Sequence, residues 1–100
     1  MRYSAEFGTW QLDDLPGCTQ VCVSHSAFVL PSHRDKGFGT KYHQARLDLI
    51  EDLKYDYALA TVDSRNERQV SILMKHGWSQ LSRFTSSKTG HEVIIFGRQM

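Results

Sequence analysis

The 100-residue sequence predicts an α+β fold, a mixed sheet with two helices packed against it. Three observations carry this. Strand-like apolar runs stand at both ends of the chain; a stripe of helical period over residues 39–54 lies between two apolar runs; and a second, shorter helical pattern follows before a closing pair of strands.

Taken in order, residues 2–12 and 19–30 alternate or cluster apolar side chains: Tyr3, Phe7, Trp10 and Leu12, then Val21, Val23, Phe28, Val29 and Leu30. The stretch "DDLPG" at 13–17 separates them as turn punctuation, which predicts an antiparallel hairpin or meander. From Gly39 to Lys54 the period changes. Tyr42, Ala45, Leu49 and Leu53 share one stripe flanked by Ile50, while Lys41, Arg46, Asp48, Glu51 and Asp52 fall mostly outside it. That pattern predicts an amphipathic helix of about four turns. The run "YALATV" at 57–62 follows closely enough to form strand–helix–strand with the run at 27–30, so the two strands are expected to be parallel with the helix over one face. Ser64, three residues before Glu67, has capping-box spacing; Val70, Leu73 and Met74 continue as an apolar stripe, Lys75 sits in the last turn and Gly77 stops a second helix. "WSQLSRF" and "HEVIIFGRQ", joined by "TSSKTG", close the chain as strands. The expected order is β-β-β-α-β-α-β-β.

A chain of this length is expected to form a single domain, residues 1–100, burying roughly two thirds of its unfolded surface. A net charge of +1 gives no general reason to expect nucleic acid or an anionic membrane as partner. No stretch approaches the ~20 apolar residues of a membrane span, and "MRYSAEFGTWQLDD" lacks the apolar core of a signal peptide. A cytoplasmic protein is the expectation. Cys18 and Cys22 then read as reduced thiols, and no metal site is expected, since no second Cys pair or H-x3-H accompanies them.

The segment "HRDKGFGTKY" raises the question of a phosphate loop. No glycine here is followed by Lys and then Ser or Thr, which excludes a Walker loop, and the third glycine of a dinucleotide fingerprint would fall on Tyr42. What survives is a strand, Arg34-x-x-Gly37-x-Gly39, and a helix. Two glycines at this spacing let the backbone approach a ligand closely, and the helix start adds unpaired amides and the positive end of its dipole. That suits a diphosphate, with Arg34, Lys36 and Lys41 facing it; on these residues alone a plain strand-to-helix turn with solvated cations fits equally well.

The wider pattern closely resembles the Gcn5-related N-acetyltransferase (GNAT) superfamily. Val29, Pro31, Arg34, Gly37 and Gly39 meet its V-x-P-x-x-R/Q-x-x-G-x-G/A signature; Val62, Asn66, Ile72, Lys75, Gly77 and Trp78 meet the linked V-x3-N-x6-L/I-x2-K-x-G-F/W signature. The resemblance covers about residues 21–97. It implies a mostly antiparallel mixed sheet whose central parallel pair is splayed, with two flanking helices, and acetyl-CoA as cosubstrate. By the same resemblance the amides of Asp35, Lys36, Gly37, Phe38, Gly39 and Thr40 hold the pyrophosphate beside Arg34. The strand edge at Ala27, Phe28 and Val29 pairs with the pantetheine, Asn66 bonds the pantetheine arm, and the Val29 amide donates to the thioester oxygen.

Two departures accompany it. Many members carry a carboxylate base and a tyrosine acid at the positions of Thr61 and Leu73, and neither residue can do that work. His25, Ser71, His76, His91 and Glu92 are candidates only by residue type, so no catalytic residue is assigned. Most of the family's N-terminal strand–helix–helix segment is also missing from this sequence, which implies an open acceptor site or one completed by a second subunit; Glu6, Asp13 and Asp14 could line such an opening, but read more simply as a solvated turn. The expected function is N-acetylation of an amine, more readily a protein lysine or N-terminus than a small molecule, with a homodimer possible because short sheets leave edges to cover. The alternative is a CoA-binding module with little or no turnover that acts by binding a partner protein.

Overall fold

A computed structural model describes residues 1–5, 8–29 and 38–100. Its elements are β1 (Arg2–Ala5), β2 (Gly8–Leu15), β3 (Cys18–Val29), α1 (Phe38–Asp52), β4 (Tyr57–Asp63), α2 (Glu67–Lys75), β5 (Ser79–Thr85) and β6 (Glu92–Gln99). Among the described residues the strands form one six-stranded sheet in the order β1-β2-β3-β4-β6-β5. Only β3 and β4 pair in parallel, bridged by α1 as the strand–helix–strand reading expects; every other neighbour is antiparallel.

Alternation along the strands sends one set of side chains toward the helices. Trp10 and Leu12 of β2, Cys22 of β3, Ala58, Ala60 and Val62 of β4, and Ile94 and Phe96 of β6 are buried there with Tyr42, Leu47 and Ile50 of α1, Leu73 of α2, and Trp78. The small Ala58 and Ala60 leave room for bulky helix residues over the middle of the sheet. On the opposite face Val21, Val23, Leu59, Val93 and Ile95 are half-buried, and Leu81 and Phe84 are exposed. Cys18 and Cys22 are unbridged, and burial pushes the Cys22 thiol up to about 11.

The helix stripe differs from the sequence expectation. Arg46, placed outside it, is only 2% exposed, and His43 is fully buried, whereas Leu53 is 44% exposed. The cause lies at the helix end. α1 stops at Asp52; Lys54 takes a left-handed φ of 62°, and the Lys54 and Tyr55 amides bond back to Glu51 O and Ile50 O. This is the paired bonding of a Schellman stop with lysine where glycine is usual, and it turns Leu53 away from the core. The buried face is instead Tyr42, His43, Arg46, Leu47 and Ile50.

The start of α2 also differs. Its cap is Asn66, not Ser64: the Asn66 side chain accepts from the Gln69 amide at 3.2 Å, and Val70 N bonds Asn66 O. Gly77 stops the helix as expected, at φ 84°, with the Trp78 amide reaching Leu73 O at 3.1 Å. The two left-handed stops make opposite predictions. Lys54→Gly should stabilise the protein and Gly77→Ala destabilise it, each by about 1 kcal/mol in urea unfolding; unchanged midpoints in both would refute this account of the helix ends.

Candidate active site

The two central strands pair over only part of their length. The parallel ladder joins Val21 to Tyr57, Cys22 to Ala58, Val23 to Leu59 and Ser24 to Ala60, and there it ends. Both strands continue. β3 runs on to Val29, held by β2 through His25–Gln11, Phe28–Thr9 and Val29–Gly8, while β4 runs on to Asp63, held by β6 through Thr61–Ile95, Val62–Ile94 and Asp63–Val93. The facing edges of 25–29 and 61–63 therefore carry no ladder bonds to each other. Each strand keeps an outer partner, so the split spares the sheet and leaves a row of peptide groups able to pair with an extended ligand.

Helix α1 returns antiparallel to both strands, so its N-terminus at Phe38 lies at the open end of the split. The helix starts one residue before Gly39, and its first-turn amides at Phe38, Gly39 and Thr40 have no intrahelical acceptor. The expected phosphate-holding residues Arg34, Asp35, Lys36 and Gly37 lie outside the described residues. Of the other predicted contacts, the backbone of Ala27, Phe28 and Val29 forms the unpaired edge of β3, and Asn66 caps α2 just beyond the end of β4. Its Oδ1 is occupied by the Gln69 amide, leaving the side-chain amide N–H groups to reach outward.

At the last rung of the ladder sits a buried polar cluster that the sequence did not suggest. Arg46 Nη1 donates to Ser24 Oγ at 3.2 Å, Nη2 lies 2.8 Å from His43 Nδ1, and the guanidinium stands 5.8 Å from the Tyr42 ring centroid. Trp78 Nε1 donates to His43 Nε2 at 2.9 Å. Among the described residues Arg46 has no carboxylate partner, and its Nε has no hydrogen bond. Burial pulls the Arg46 pKa down to about 10, so it stays protonated at neutral pH. Burial, with Arg46 and His76 nearby, drives His43 down to about 3, so its ring is neutral and can accept from only one of its two donors. The cluster pins α1 to β3 and to Trp78, just past the end of α2, at the level where the strands part.

The residues offered by type alone have ordinary surroundings, with one exception. His76 is the C-cap of α2, its Nδ1 2.8 Å from Ile72 O; Ser71 is exposed; Glu92 is exposed and paired with Arg83 at 2.8 Å. His91 lies against Arg65 and Asp63, and the Arg65 side chain holds the Asp63 carboxyl at about 2. Leu73 is fully buried and Thr61 exposed, and neither side chain carries the acid or base group expected at its position. The exception is His25, the first residue past the split, whose Nε2 lies 2.6 Å from Asp13 Oδ2.

Comparison by sequence finds no matching protein-family model and no matching curated protein. Comparison by structure does find likenesses. A Vibrio cholerae spermidine N-acetyltransferase chimera superposes with TM-score 0.83 at 16% identity, over 98% of this chain and 68% of its own. A Salmonella typhimurium protein described as an acetyltransferase, with its cofactor acetyl-CoA, gives 0.80 at 19% identity, over 93% and 57%. The Escherichia coli ribosomal-protein-S18-alanine N-acetyltransferase gives 0.76 at 11% identity, over 93% and 61%. The fold is therefore that of the GNAT acetyltransferases, as the linked motifs implied, and the chain spans between 57% and 68% of the length of these three structures.

The buried histidine gives a pH prediction. His43 is harder to protonate folded than unfolded, so its contribution is complete above the unfolded value near 6.5 and is lost as pH falls toward 3. Urea unfolding between about pH 6 and pH 4 should lose about 1.4 kcal/mol per pH unit to this group, and His43→Gln should flatten that slope by one proton. An identical slope in the variant would show that the ring is not held neutral.

Proposed function

We propose that this chain is an acetyl-CoA-dependent N-acetyltransferase that transfers the acetyl group directly to an amine. The observation that carries the proposal is the parallel ladder ending at Ser24 and Ala60, with a helix N-terminus at the open end of the split. In this reading the amides of Asp35, Lys36, Gly37, Phe38, Gly39 and Thr40, with Arg34, receive the pyrophosphate. The edge at Ala27, Phe28 and Val29 receives the pantetheine as an added strand, and Asn66 bonds its arm. Acetyl-CoA supplies an activated thioester, and the Val29 amide donates to its oxygen as negative charge develops there.

The acceptor is an amine, and we favour a lysine or N-terminus of a protein, because no acidic pocket suited to a polyamine stands out in the sequence. A lysine at pH 7 must first lose a proton against about 4–5 kcal/mol. The second reading, a CoA-binding module with little turnover, draws on Leu73, a fully buried aliphatic side chain at the position where a proton donor was expected. A cytoplasmic location and a homodimer formed through an outer sheet edge belong to the same proposal.

Calorimetry with acetyl-CoA, in parallel with release of free thiol in the presence of spermidine or a peptide bearing a free N-terminal amine and one lysine, separates these readings. The proposal expects saturable binding that weakens with salt and is abolished by Gly37→Glu with Gly39→Glu, together with thiol release dependent on an amine. Binding without turnover on any amine would favour the module. No binding by the wild type would refute both.

A further inference from the structure

We propose that Arg46 is a positioning residue for the split: by holding Ser24 from beneath, it keeps β3 and β4 from zipping past their last rung; its effect on acetyl-CoA affinity rests on the acetyltransferase reading above. Nothing in the backbone forbids further pairing. Carried on in the register that joins Ser24 to Ala60, the ladder would set His25 beside Thr61, Ser26 beside Val62 and Ala27 beside Asp63, and both strands stay extended through these residues. Neither stretch contains proline, so every peptide group there can take part. The outer ladders to β2 and β6 use the opposite edges and do not compete with such pairing. Closing the ladder would satisfy donors and acceptors that the open form leaves to other partners, so the parting has to be held by contacts outside the two strands.

Those contacts come from α1. Ser24 turns toward the helices and is 1% exposed, and Arg46 Nη1 donates to its Oγ at 3.2 Å. Arg46 stands between Ser24 and His43, which Nη2 meets at 2.8 Å, and His43 in turn lies 2.9 Å from Trp78 Nε1, past the end of α2. A planar guanidinium reaches both neighbours at once, where the ammonium of a lysine is a single point. Ser24 is thereby tied to a side chain that is itself braced against Trp78, so β3 leaves the ladder from a fixed point. The facing residues of β4 on this side, Ala60 and Val62, offer α1 no polar group, and β4 is left where β6 holds it.

As a piece of core the cluster is poorly satisfied. Arg46 Nε has no partner, no carboxylate accompanies the guanidinium among the described residues, and the neutral His43 ring, with a donor at each nitrogen, accepts from one alone. Groups that conflict with local stability persist where function needs them. Here they gather at the rung where pairing stops, and Ser24, the strand residue they meet, is the pivot. The open form is the one that receives the pantetheine. A sheet that closes must be reopened by the ligand, and apparent affinity falls with the fraction of molecules left open.

Arg46→Met and Ser24→Ala test this by two routes, the first removing the donor with its buried charge and the second only the acceptor. In each, about nine-tenths of the ligand-free molecules should close beyond the Ser24 rung, which slows hydrogen exchange of the inward-facing amides of 25–29 and 61–63 about 10-fold and weakens acetyl-CoA binding in calorimetry by the same factor. Arg46→Met should unfold at a urea concentration no lower than wild type, because an apolar side chain of similar length replaces an unpaired buried charge; Ser24→Ala decides alone if that variant does not fold. Unchanged exchange at both inner edges in the variants would overturn the proposal. So would Arg46→Met unfolding at lower urea with acetyl-CoA affinity intact, the pattern of a residue that only supports the core. A wild type without affinity for acetyl-CoA would overturn the acetyltransferase reading, and the exchange comparison, made without ligand, would still decide the role of Arg46.

Discussion

Two adjacent parallel strands normally pair along their whole shared length, because each ladder bond left unmade in the interior leaves a donor and an acceptor to be satisfied elsewhere at about 1–3 kcal/mol apiece. Here β3 and β4 stop pairing after Ser24 and Ala60 while both continue, and the arrangement persists because β2 and β6 still hold their outer edges. Among the described residues the inner edges have no ladder partner past that rung. A ligand that is itself a chain of amides, such as pantetheine, matches that requirement, and the start of α1 at the open end matches a diphosphate attached to it.

The Arg46 cluster bears on the same point. A buried guanidinium with no carboxylate partner among the described residues is costly, and an apolar residue at that position would pack with less expense. What Arg46 does that a leucine could not is bond Ser24, the residue at the last rung, while its neighbour His43 ties α1 to Trp78 beyond α2. Both helices are thereby referenced to the level at which the strands part. Polar contacts have directional geometry that apolar packing lacks, so the split is held at a defined register.

Much of this was legible in the chain. The order of elements, the parallel crossover and the Gly77 stop follow from periodicity and turn chemistry, and the linked glycine and asparagine signatures pointed to the fold that structural comparison found. Arg46 was misread because an amphipathic stripe assumes that a charged residue faces water; only its three-dimensional neighbours, 22 and 3 residues away in sequence, show otherwise. Ser64 was preferred over Asn66 because capping-box spacing is scored on residue pairs, whereas the chain fixes its cap by where β4 ends. The pairing of His25 with Asp13 depends on hairpin register, shifted by an irregularity between Asp14 and Leu15 beside the turn, which a list of residues does not contain.

The central claim is that the split is the seat of acetyl-CoA. Backbone amide NMR during titration with acetyl-CoA tests it most directly. The account predicts that shifts and added exchange protection concentrate in Ala27–Val29, Phe38–Thr40 and Asn66, with the β5–β6 hairpin unaffected. Perturbations confined to β5, β6 or the turn between them, or none at saturating ligand, would contradict it.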